Sequence, residues 1–216
     1  MRRDLSTSKK DIMTRYVYLA LHYQNENCHP DGAIKVGIAQ DAPWREERLG
    51  NARRLMEGMR SRGIPIVHVR LAVQPDFSDV VQNTPIIREW VKMNAWREGT
   101  WGTEWLQGFE PRPDETVVTH TRNSVMHGCT VPDVLTGLGA EHLIFSGVST
   151  AYVVEGSIRH ATDIGYPCTV GADACSTATQ EQHFNALAAL RLLADVRDVD
   201  ETLTFLDEQG AAQRAR

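Results

Sequence analysis

The order of segments along the chain predicts an α/β fold of three layers, a central, mainly parallel sheet with helices on both faces. Two observations predict it. Apolar, β-branched runs of strand length alternate with longer segments of helical periodicity, the pattern of βαβ units. At 216 residues the chain is also long enough for one substantial core, and no Ser/Gly/Pro-rich linker or charge block divides it. Residues 1–216 are therefore expected to form a single domain, with residues 1–15 as a flexible N-terminal arm.

Each element follows from its local pattern. "YVYLAL", Tyr16 to Leu21, is the first strand. "APWREERLGNARRLMEGMRSRG" is an amphipathic helix closed by Gly63, and "IPIVHVRL" is the second strand. The rhythm then breaks. Ala72 to Asp114 has no strong period, carries Pro75, Pro85, Pro111 and Pro113, and holds four of the five tryptophans, Trp90, Trp96, Trp101 and Trp105. A stretch this long without regular structure reads as a lid or an interface, since Trp anchors both kinds of surface. Alternation resumes with "TVVTH" (Thr116 to His120) as the third strand and Val131 to Leu138 as a short helix. "HLIFSGV" is the fourth strand, Thr150 to Ile164 a helix ended by Gly165, and "PCTVGAD" the fifth strand. Gln180 to Leu193 is helical, and "VRDV" is a short edge strand before a terminal helix.

Composition removes several function classes. A formal charge of -5 with both signs interspersed gives no electrostatic footprint for nucleic acid or an anionic membrane. No apolar run approaches the ~20 residues of a membrane span, and "MRRDLSTSKKDIMTRY" lacks the apolar core of a signal peptide. A cytoplasmic protein acting on a small molecule is expected. Cys28, Cys129, Cys168 and Cys175 have no CxxC spacing and read as free, structural thiols. No phosphate-binding glycine pattern and no metal-ligand spacing is present, so neither cofactor nor metal is expected. His29 and Asp31 lie near His22 in sequence without forming a ligand motif.

In a parallel sheet, ligands bind outside the carboxyl ends of the strands. The first strand ends at "LHYQNENCHPDG", the third at "THTRNS" and the fourth at "SGVSTAYVV", so His22, His120 and the turn at Ser149 and Thr150 are expected to meet. Two histidines on one sheet edge suit proton transfer near neutral pH. The turn leads into a helix whose N-terminus offers unpaired N–H groups and a positive field, yet its first turn carries Val153, which has no chemistry to use them.

Four stretches in this order, "LALHYQNENCHPDG", "GTWGTEW", "THTRNSVMHG" and "SGVSTAYVVEGSIRHATDIGYPCTVGADACS", resemble the isochorismatase-like cysteine hydrolases from about Tyr16 to Asp200. The resemblance implies a Rossmann-like fold, a dimer or tetramer, and a cis peptide between Val148 and Ser149. Members of that family usually place an Asp after the first strand, a Lys at the end of the third and a nucleophilic Cys on the turn after the fourth. By position these fall on His22, His120 and Val153, and none is kept. Val153 excludes an acyl-enzyme at that position. Cys129 falls where the family usually has a Thr. Phenazine-type isochorismatases imply an alternative in which an acid protonates a vinyl ether without a thiol, and a protonated His22 is a candidate for that role. Arg122 is a candidate for the charge lost at His120. Trp101, Ser149 and Thr150 are candidates for substrate binding. The expectation is a cysteine-independent hydrolase of a small carbonyl, amide or vinyl-ether compound. Its alternatives are a pseudoenzyme that binds a small molecule and a structural subunit.

Overall fold

In the computed structural model, which describes residues 14–214, six strands form one sheet: β1 (Tyr16–Leu21), β2 (Ile66–Leu71), β3 (Thr116–His120), β4 (His142–Gly147), β5 (Cys168–Gly171) and β6 (Asp195–Arg197). Apart from Thr14 and Arg15, the expected N-terminal arm lies outside the described residues. Strand order is β3-β2-β1-β4-β5-β6, with every adjacent pair parallel. The chain builds outward from β1 on one side and then restarts at β4 on the other. The seam between β1 and β4 is thus a topological switch point, where the connections diverge and leave a crevice at the strands' carboxyl ends.

The period-2 alternation of β1 separates two cores. Val17, Leu19 and Leu21 face one side, with Val131 and Leu135 of α4 (Val131–Leu138), Ile158 and Ala161 of α5 (Glu155–Asp163) and Leu187 and Leu190 of α6 (Gln180–Leu190). Tyr18 and Ala20 face the other, with Leu49, Leu55 and Met59 of α2 (Arg45–Ser61) and Leu206 of α7 (Val199–Arg214). Burial of each such Leu or Ile contributes about 1.5–3 kcal/mol, which makes the double-sided packing around β1 the stable base of the crevice.

Several boundaries differ from the sequence expectation. A one-turn helix, α1 (Asn25–Cys28), follows β1 directly. The helix expected from Thr150 opens as a wide turn over Thr150–Val154 before α5 begins. There the N–H of Val154 reaches back to the Ser149 carbonyl, while that of Thr150 leaves the helix for the Ser176 carbonyl at 2.7 Å. The Trp-rich segment is more ordered than its lack of period suggested. It contains α3 (Pro85–Lys92), with proline in the first turn where a missing N–H does no harm, and a 3-10 turn at Trp101–Thr103. Two isolated bridges, Val73 to Arg97 and Gln24 to Trp105, fold the segment back over the carboxyl ends of β1 and β2.

Candidate active site

His22 is the first residue after β1. Its backbone is left-handed (φ 57°), held there by its N–H donating to the Val69 carbonyl at 2.9 Å. For a residue with a Cβ this conformation costs about 1–2 kcal/mol. It turns the chain sharply from strand into α1. His120 is the last residue of β3, in register with Leu71 at the end of β2. β2 separates the two strands, and over its end the rings converge: the Nε2 atoms of His22 and His120 are hydrogen-bonded to each other, with ring centroids 4.7 Å apart. Both side chains are buried.

Burial lowers the pKa of His22 well below the ordinary histidine value, and the neighbouring His120 lowers it further. Burial likewise pushes His120 down to about 3, with the Ser124 backbone opposing slightly. No hydrogen bond of ordinary geometry reaches His120 Nδ1. A single N–H joins two neutral imidazoles at neutral pH, one donating and the other accepting.

On the far side of the switch point the peptide between Val148 and Ser149 is cis, as the resemblance implied. Asn27 of α1 donates from Nδ2 to the Val148 carbonyl at 2.8 Å, so the turn after β4 is tied to the loop after β1. Ser149 is hydrogen-bonded to the Thr177 hydroxyl, and Thr177 in turn donates to the Val36 carbonyl at 3.1 Å.

These parts enclose a pocket. His22, Asn27, Leu71, Val148, Ser149 and Val153 line its floor. Trp90, Trp96 and Tyr152, with Ile34, Val36, Ile86 and Asn123, form its walls. Only ≈ 20 Å³ of it is open to the centre of a water molecule, room for about one. Trp96 comes within 6.2 Å of His22, centroid to centroid, and is 2 % exposed. Its backbone N–H donates to Glu26 Oε2 at 3.2 Å, and Glu26 Oε1 accepts from the Ala33 N–H at 3.2 Å. A Cβ on Gly102 would fall 1.9 Å from Glu26 Oε2, so glycine is required there for the carboxylate to hold Trp96 in place.

The sequence expectations therefore divide. His22, Ser149 and Val153 line the pocket, with His120 directly behind His22. Thr150 does not line it. Thr150 is fully buried, and its hydroxyl pairs with His183 Nδ1 at 2.9 Å on the other side of the turn. Trp101 is also displaced from the expected place. It is 46 % exposed and packs edge-on against His29 in a separate groove, because the 3-10 turn carries it outward. Arg122 lies half-buried against the Gly128 turn and does not line the pocket, so it does not replace a cation at His120. Cys129 lies outside the pocket too. It donates to the Val125 carbonyl at 3.1 Å, and burial raises its pKa, which makes it a poor nucleophile. Sequence reasoning missed Asn27, Tyr152 and the Glu26 clamp, and it placed Trp90 and Trp96 only within the segment expected as a lid or interface. Asn27 and Glu26 stood inside a stretch already singled out, but the contacts that define them are long-range.

A three-layer α/β chain with this strand order and a site at the switch point is a well-populated class, and comparison with known proteins narrows it. The profile of the Isochorismatase domain matches residues 17–201. The chain is 24% identical over 165 residues to the uncharacterized isochorismatase family protein YecD of Escherichia coli O157:H7, an alignment covering 74% of this chain and 84% of that protein. It is 24% identical over 132 residues to the ureidoacrylate amidohydrolase RutB of Agrobacterium fabrum, covering 55% of this chain and 57% of the relative. A cysteine hydrolase from Pseudomonas syringae pv. phaseolicola 1448A superposes with a TM-score of 0.79 at 16% identity, covering 90% of this chain and 93% of that one. The chain belongs to the isochorismatase family.

Proposed function

We propose that the protein hydrolyses a small carbonyl or amide compound without a covalent intermediate, with His22 as the general base. The observation that carries this reading is the His22–His120 pair. His22 lines the pocket with its Nε2 engaged by His120, so Nδ1 is its available polar atom. With the His22 proton on Nε2 and His120 Nε2 accepting it, the lone pair of His22 Nδ1 is free to take a proton. His120 is then a positioning residue that orients the base.

In the proposed step, His22 removes a proton from a water molecule, whose oxygen attacks the carbonyl carbon. The developing oxyanion lies toward the helix start after Ser149, where first-turn N–H groups outnumber intrahelical partners. The protonated His22 returns its proton to the leaving nitrogen or oxygen, and water's atoms end in the two products. Val153 supplies only an apolar floor. The acid role expected of a protonated His22 fits poorly, because burial and the facing imidazole hold it neutral. Such a base is always available but weak, so the acceleration belongs at the lower end of the usual 10²–10⁴ range for acid–base catalysis.

A second reading has its own observation. The narrow, largely apolar pocket suits a binding protein that retains the fold without turnover. The test is product formation by purified protein and by His22→Ala on isochorismate, benzamide and ureidoacrylate, the last because a similar protein is named for it. Turnover lost in the variant, with no covalent adduct by mass spectrometry, supports the base mechanism. Equal turnover in the variant, or a trapped thioester, overturns it. Saturable binding without product favours the binder.

A further inference from the structure

We infer that the pocket takes small, uncharged molecules, holding an apolar or planar body against Trp90, Trp96 and Tyr152 and a carbonyl-type acceptor on the indole N–H of Trp96. This rests on the reading of the same pocket as the functional site and adds the class of ligand.

Three observations carry it. First, among the described residues no lysine, arginine, aspartate or glutamate lines the pocket. The groups there that can ionise are His22 and Tyr152, and the ring behind His22 is another histidine rather than a fixed cation. Arg122 is turned to the Gly128 turn, and the Glu26 carboxylate is occupied by the backbone N–H groups of Ala33 and Trp96. A ligand carboxylate entering here would lose its water and meet no counter-charge, which an anion tolerates far less well than an amide does.

Second, the walls are aromatic and aliphatic, with Ile34, Ile86, Leu71 and Val153 completing the surface around the three rings. This is the lining that orients a ligand by shape, with a few polar atoms fixing its direction. Third, Trp96 Nε1 is buried and has no acceptor among the described residues. A buried indole N–H ordinarily finds a partner, and a ligand carbonyl beside this ring supplies the one it lacks. With room for about one water as it stands, the pocket admits such a ligand only when the half-buried Ile86 and Trp90 of α3, which line it, move aside.

The test is binding to the full chain carrying ¹⁵N-labelled tryptophan, read at the Trp96 indole N–H resonance and assigned by its absence in Trp96→Phe. The probes are benzamide and the isosteric pair fumaramide and fumaramate, which differ in one charge. Benzamide and fumaramide are expected to shift the Trp96 resonance, and fumaramate to bind at least tenfold more weakly than fumaramide. Fumaramate binding as well as fumaramide, or no Trp96 shift with either amide, overturns the inference. Ile86→Lys places a cation at the pocket wall without touching His22 or His120. It is expected to narrow the fumaramide preference at least fivefold, and an unchanged ratio overturns the assignment to this pocket. Failure of the functional reading is separable: binding of both amides without turnover leaves the ligand class intact, whereas turnover of fumaramate at the fumaramide rate removes the ligand class and leaves hydrolysis.

Discussion

Two buried histidine sites, set on neighbouring strands, differ in what stands opposite the ring. His68, in the middle of β2, is 1 % exposed and faces Glu115 at 2.8 Å. Glu115 also takes two bonds from Arg60, at 2.7 and 2.8 Å, and a backbone N–H from Arg112. Burial alone would raise the Glu115 carboxyl, but Arg60, the Arg112 N–H and His68 outweigh it and hold it at about 2. His68 is lowered by burial, with Glu115 opposing. Across the strand end, His22 and His120 face only each other. The first site is a charge network that knits strands and helix together around one carboxylate. The second contains no fixed charge and opens onto a pocket. A buried histidine with a carboxylate partner is accounted for by structure, whereas a pair that leaves ring nitrogens unused beside a cavity calls for a chemical explanation.

The largest expected effect separates the two sites by activity. His22→Ala should lower kcat/KM by about 10²-fold or more on any substrate the protein turns over, and His68→Ala should change it by less than about threefold. Comparable losses in both variants would mean that His22 acts only through the fold. His120→Asn sharpens the comparison: Asn can still accept from His22, so part of the rate should survive there and not in His120→Leu. Equal losses in Asn and Leu would remove the positioning role.

The next effect lies in stability and reverses the order. Glu115→Ala leaves Arg60 with Glu57 and His68 without a carboxylate, and losing these part-buried charge-assisted bonds costs about 1.5–3 kcal/mol, read as a lowered midpoint in urea. The Trp96 resonance and ligand binding should be unchanged in the residual folded protein. A loss under about 1 kcal/mol would show that solvent already carries much of this network.

The sheet and the meeting of His22, His120 and the Ser149 turn were legible because they depend on strand order alone. Alternating apolar runs define the strands, and the carboxyl ends of parallel strands lie on one edge whatever the loops do. The walls were not legible. Trp101 and Trp96 occur in one irregular stretch with similar local surroundings, yet one faces solvent and the other closes the pocket. What separates them is the bridge from Val73 to Arg97 and the Glu26 contact, each joining residues far apart in sequence. Thr150 was misplaced for a similar reason, since its partner His183 comes from α6. α3 escaped because two turns of helix behind a proline offer too few positions to establish a period.

Acid should distinguish the two histidine sites by the pH at which each loses stability. His22 and His120 have folded pKa values below the ordinary 6.5, so the unfolded chain binds protons that the folded chain refuses as pH drops below that value. Their contribution is complete above pH 6.5 and is lost as pH falls, that of His120 toward about pH 3, at up to about 1.4 kcal/mol per pH unit for each ring that stays neutral. Glu115 behaves with the same sign in a lower window, complete above its ordinary 4.5 and lost as pH falls toward about 2. Urea midpoints between pH 7 and 5 should thus fall in the wild type and fall less steeply in the His22→Asn/His120→Asn double variant, where His68, His142 and His183 keep part of the slope, while Glu115→Gln acts mainly below pH 4.5. A double variant as steep as the wild type between pH 7 and 5 would show that water already reaches the pair.

The smallest expected effect concerns the thiol beside the pocket's outer turn. Cys129 donates to the Val125 carbonyl, and a serine hydroxyl can make the same bond, so Cys129→Ser should change stability by less than about 1 kcal/mol and leave kcat/KM within twofold. Because burial raises the thiol's pKa, alkylation by iodoacetamide should also be slow at pH 7.5 and no faster in the presence of substrate. Rapid alkylation coupled to loss of activity would restore a thiol nucleophile to the chemistry. The His22–His120 pair would then orient substrate, and the base mechanism would give way to a covalent one.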